Sequence, residues 1–142
     1  MSDTHPPVAE KVLCIDFDGT IVPWQKDELN GAVAPFPRVA AQLRKFKADG
    51  WEIVIFTSRL SKRWAKSEVG GNVWLIAGFL DEQYAYIRDL LTKYEVPFDL
   101  ITAEKVPAQY YVDDKAREVN EHWAPQHTDR VLHDIAIREG VK

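Results

Sequence analysis

The sequence predicts an α/β fold, a central parallel sheet covered by helices on both faces. Three observations carry that expectation. Apolar runs with little polar alternation recur at 11–17, 51–56 and near 110, the pattern of strands buried on both faces. Segments with helical spacing separate them, so the strands are joined by crossovers and not by hairpins. The polar clusters Asp16/Asp18, Thr57/Ser58 and Asp113/Asp114 stand where apolar runs stop. Ligands of open α/β sheets bind beyond those carboxyl ends.

Residues 1–10 are polar with Pro6-Pro7 and are expected to be a loose leader. "KVLCIDF" (11–17) predicts the first strand, stopped by Asp18-Gly19. Residues 21–36 carry Pro23, Asn30-Gly31 and Pro35, which predicts a flap or hairpin instead of a helix. In 37–50, Val39, Leu43 and Phe46 recur at helical spacing between Pro37 in the first turn and Gly50 at the C-terminal cap. "WEIVIFTSR" (51–59) predicts the second strand, and the basic, then glycine-rich 61–72 a loop or short helix. Residues 73–96 predict one long helix broken near Gly78 and Asp81, with Trp74 packed into the core like Trp51. "PFDLIT" and "AQYYVDD" predict two short strands. "KAREVNEHWA", anchored by Trp123, and "TDRVLHDIAIREG" predict closing helices.

A chain of 142 residues suits one domain, 1–142, with a single core. Its 46% hydrophobic and 28% charged content is that of a globular protein, and a net charge of −4 gives no support to general nucleic-acid or membrane-surface binding. Cys14 is the single cysteine, so no intrachain disulfide forms; the expectation is a buried thiol in a reducing compartment. The N-terminus lacks the pattern of a signal peptide, and no apolar run approaches the roughly 20 residues that span a bilayer. A cytoplasmic location is expected, with no membrane partner. His5, His122, His127 and His133 show no metal-ligand spacing.

Asp16 and Asp18 are at i and i+2, so on a strand their carboxylates leave the same face and repel unless a cation sits between them. A phosphoryl group explains the set. Phosphate monoesters need a nucleophile, charge neutralisation and protonation of the leaving group. Asp16 suits the nucleophile, forming an aspartyl-phosphate, and Asp18 the acid and then the base. Carboxylates of Asp16 and Asp113 suit Mg²⁺. Thr57 and Ser58 offer hydroxyl and backbone donors to the phosphate, and Lys105 a positive charge.

"DFDGT", "FTSR", Lys105 and "YVDDK" resemble, in order, the four motifs of the haloacid dehalogenase-like (HAD) hydrolase superfamily. The resemblance spans about residues 12–115. It implies a three-layer Rossmann-like (HAD-like) fold, with Asp16 as nucleophile and Asp18 as acid/base. The Asp18 backbone carbonyl and Asp113 would be on the metal, with Asp114 on it directly or through water. Thr57 and Lys105 would hold the phosphate. Members that dehalogenate or pump ions generally lack the second aspartate, so Asp18 points to a phosphatase or phosphomutase. Residues 19–56 and 58–104 are largely consumed by the flap, helices and strands already named. A capless phosphatase is therefore expected, its pocket partly covered by the flap around 22–35 with Trp24 and Phe36.

A Mg²⁺-dependent phosphomonoesterase is the leading expectation. A non-catalytic module that binds a phosphorylated ligand or partner stands against it, as does, less strongly, phosphoryl transfer to an acceptor other than water. Arg59, Lys62, Arg63 and Lys66 follow the second motif, where they form a solvated loop or meet an anionic substrate. With Trp64 they leave a polynucleotide end open as substrate, the only nucleic-acid role retained. Substrate identity and oligomeric state stay open.

Overall fold

The computed structural model describes residues 10–23, 34–104, 106–113 and 125–142. Strands β1 (Val12–Asp16), β2 (Glu52–Phe56), β3 (Leu100–Thr102) and β4 (Tyr110–Val112) form one sheet in the order β3-β2-β1-β4. All three pairings are parallel, as expected. Helices α1 (Pro37–Ala48), α2 (Lys62–Val69), α3 (Val73–Lys93) and α4 (Pro125–Glu139) flank it, giving a Rossmann-like α/β arrangement. No helix of the described residues is long and apolar enough to cross a membrane.

Alternation sorts the strand residues onto two faces. Leu13, Ile15, Ile53, Ile55, Ile101 and Val112 face the main core with Val39, Leu43 and Phe46 of α1, Ile87 and Leu91 of α3, and Leu132 of α4. Fully burying one such side chain stabilises by about 1.5–3 kcal/mol, so this layer dominates the fold. Val12, Cys14 and Val54 face the other way and meet Phe56, Val106 and Ala108. The right-handed crossover rule gives the reason. Moving from β1 to β2 to β3 puts α1 and α3 on one face, and the return from β3 to β4 crosses the other. Among the described residues that second face is covered by the β3–β4 connection, and the helix predicted over 115–124 lies outside them.

Most boundaries fall within the expected segments, and the departures have local causes. β3 is shorter than 97–102 because Pro97 has no N–H and Asp99 replaces the ladder. The Asp99 carboxylate accepts the Ile53 N–H at 2.7 Å, and its own N–H donates to the Ile53 carbonyl at 2.7 Å. β2 ends at Phe56, and Ser58–Leu60 form a single 3-10 turn. Residues 62–69 are helical, started by the Ser61 side chain accepting the Trp64 N–H at 3.1 Å. α3 is not broken: its 21 residues run through Gly78 and Asp81. A mid-helix glycine costs only about 1 kcal/mol, and Gly78 lies on the exposed side. Trp51 and Cys14 are buried as expected, Trp51 edge-on to Phe46 at 5.2 Å. Trp74 is the correction, being 84% exposed. It sits in the first turn of α3, while the helix buries Gln83, Ile87, Leu90 and Leu91 from its later turns. His133 is exposed on α4. The leader, most of the flap with Trp24, and the segment 115–124 lie outside the described residues.

Candidate active site

β1 carries Asp16 to the carboxyl edge of the sheet between β2 and β4. Asp16 is opposite Phe56, and Ile15 is opposite Val112, so Asp113 follows β4 at the level where Asp16 ends β1. Period-two alternation puts Asp16, Phe56 and Asp113 on the Cys14 face. All three line one small pocket with Cys14, Tyr111 and Val112. This is the face crossed by the β3–β4 connection, whose Val106 packs on the Cys14 cluster. Lys105 and Asp114 lie outside the described residues.

After Asp16 the chain turns at once. The Phe17 carbonyl accepts the N–H groups of Ile21 at 3.0 Å and Val22 at 3.2 Å, and Gly19 adopts φ 78°, a left-handed conformation suited to glycine. Asp18 therefore lies past the end of β1, in an isolated bridge with Val22, where strand alternation alone no longer sets the direction of its side chain. Its carboxylate meets Arg59. Nε donates to Oδ2 at 2.7 Å and Nη2 to Oδ1 at 2.8 Å, with both side chains buried. The cation that the Asp16/Asp18 pair calls for is supplied, at Asp18, by the protein itself.

Thr57 is fully buried, and its N–H donates to the Thr102 carbonyl at 2.9 Å. Its Oγ1 accepts the Arg59 N–H at 3.1 Å, which leaves the hydroxyl proton for another acceptor. Ser58 is exposed at the start of the 3-10 turn. Lys62, Arg63 and Lys66 are exposed on α2, as a solvated basic run would be, but Arg59 is not part of it. Sequence reasoning assigned Arg59 to that run because its neighbours are basic; only the packing of α2 and α3 over it reveals the difference. Burial pushes the Tyr86 hydroxyl upward against the opposing charge of Arg59.

Among the described residues no three His, Cys, Asp or Glu side chains come together as a ligand set. Asp16 and Asp113 nevertheless fit Mg²⁺, which takes hard oxygens and is commonly held by one or two carboxylates with waters and substrate phosphate completing its shell.

No family model matches the chain. No curated protein matches it either. A solved structure does.

That crystal structure, of an MCSG target protein from Vibrio cholerae, is 27% identical to this chain. The alignment covers 91% of this chain and 98% of the other, with a TM-score of 0.55. The likeness supports the α/β architecture across nearly the whole length, and the activity must be argued from the site.

Another groove, of about 570 Å³, lies elsewhere, between the ends of α1 and α3 that lead into β2 and β3. Its basic side chains are already engaged. Arg44 donates to the carbonyls of Tyr94 and Glu95, and Lys47 pairs with Asp99 at 2.5 Å. We read it as a structural seam.

Proposed function

We propose that this chain is a Mg²⁺-dependent phosphomonoester hydrolase of the HAD-like, capless type, working through an aspartyl-phosphate on Asp16. One observation carries the reading: the strand order and register bring Asp16 and Asp113 to adjacent carboxyl ends on one face, with Thr57 at the end of the next strand. The β3–β4 connection also meets that same face, where Val106 and Ala108 pack.

In this reading an Asp16 oxygen attacks phosphorus, the bond to the leaving oxygen breaks, and Asp18 supplies the proton that oxygen needs. Water then attacks the phosphorus of the acyl phosphate, gives a proton to Asp18, and releases inorganic phosphate and the Asp16 carboxylate. Thr57 donates its hydroxyl to a phosphate oxygen, and Lys105 offsets charge. Mg²⁺, held by Asp16, the Asp18 carbonyl, Asp113 and Asp114, would neutralise charge on the phosphoryl oxygens and on the nucleophile.

The Asp18–Arg59 pair favours a second reading, a non-catalytic module that binds a phosphorylated ligand, because both oxygens of the acid/base are engaged. Phosphate release from a panel of monoesters, including sugar phosphates, nucleotides and a 3′-phosphorylated oligonucleotide, separates the two. Release with Mg²⁺ that stops with EDTA supports the hydrolase. Mg²⁺ binding without release from any ester supports the module.

A further inference from the structure

Arg59 is as hidden as the core, at 6% exposure against 7% for Asp18. Its guanidinium grips the Asp18 carboxylate side-on through Nε and Nη2. The third nitrogen, Nη1, reaches Oε1 of the buried Gln83 at 3.5 Å. The rings of Trp64 and Tyr86 stand 5.8 and 6.0 Å from its central carbon. α2 and α3 thus enclose the guanidinium, and Asp18 occupies its remaining edge. A buried ion pair is a poor source of net stability, since desolvation offsets most of the attraction. Fixing geometry is what such a pair does best.

We propose that Arg59 is a positioning residue for Asp18, with Trp64, Gln83 and Tyr86 holding Arg59 in turn. The inference rests on the hydrolase reading, in which Asp18 passes a proton to the leaving oxygen and takes one from water. Asp18 lies past the end of β1, so strand alternation alone does not set its direction. An acid/base group needs a third group to orient it, and Arg59 is the partner that meets both Asp18 oxygens. The seating of the α2–α3 pair would thereby set proton transfer without touching the phosphate.

The test compares wild type, Arg59→Gln, Arg59→Lys, Asp18→Asn and the Asp18→Asn/Arg59→Gln pair on p-nitrophenyl phosphate and glycerol phosphate with Mg²⁺. Nitrophenolate departs without a proton and the alkoxide does not. Arg59→Gln is expected to lower kcat/KM on the alkyl ester by about 100-fold and on the aryl ester by less than about tenfold. The aryl ester should also show a burst of nitrophenolate followed by slow turnover, because dephosphorylation too needs Asp18. Arg59→Lys should fall between. Added to Asp18→Asn, Arg59→Gln should cost nothing further. Equal losses on both esters with no burst, or losses that multiply in the double variant, would overturn the inference. If Arg59→Gln does not fold, the double variant, which removes both buried charges, and Arg59→Lys carry the comparison. A wild type silent on every ester defeats the hydrolase reading and this inference together; the other adverse outcomes defeat the inference alone.

Discussion

Asp16 and Asp113 follow Ile15 and Val112, two residues paired in register on neighbouring parallel strands, and line the same pocket. Two carboxylates so placed repel, and a divalent cation relieves the repulsion. Asp113→Asn is expected to raise the Mg²⁺ concentration that gives half-maximal phosphate release by about tenfold or more. An unchanged Mg²⁺ requirement would remove Asp113 from the ligand set.

Asp16→Asn is expected to abolish turnover and phospho-enzyme formation while leaving the circular dichroism and thermal transition close to wild type. Acid-quenched protein mixed with labelled substrate reads the covalent step. Substantial remaining turnover would move the nucleophile elsewhere.

Stability at low pH should report on Asp99. Burial, the largest single influence, raises its pKa, but hydrogen bonds from Lys47 and the Ile53 N–H, with the Lys47 charge, outweigh it and hold the carboxyl below its usual 3.8. The unfolded chain therefore binds this proton first as pH falls. The stabilisation is complete above the unfolded value of about 4 and is lost as pH drops through the folded one. Urea midpoints taken between neutral pH and about pH 3 should fall less steeply for Asp99→Asn, which should also be less stable at neutrality by about 1–2 kcal/mol. Identical pH slopes would assign the acid sensitivity to other groups.

Ile55 is fully buried between Ile15 and Ile101. Ile55→Ala should cost about 2–5 kcal/mol by urea denaturation. Asn72→Ala should cost about 1 kcal/mol, since the Asn72 side chain accepts the N–H groups of Trp74 and Leu75 at 2.9 and 3.2 Å at the start of α3. A cost for Asn72→Ala as large as for Ile55→Ala would mean that the exposed first turns of α3 carry more of the fold than their packing indicates.

The parallel sheet was legible because its strands are short apolar runs without alternation, and the helix over 37–48 because Val39, Leu43 and Phe46 mark one face between a proline and a glycine. Legible too was which residues end the strands: Asp16, Thr57 and Asp113 stand where hydrophobicity stops. Trp74 was not legible, because helical spacing does not say how far a helix overshoots the layer it packs on. The continuity of α3 through Gly78 was missed since local propensity is weaker than the packing of the turns that follow.

By itself the amino-acid sequence determined the strand ends and the chemical groups on them, properties that depend on neighbours a few residues away. Tertiary structure alone decided that Asp18 turns off β1 to meet Arg59, 41 residues later in the chain. Two charges come together inside a protein only where helices exclude water around them, and no local pattern in "DFDGT" or "FTSR" states which helices those will be.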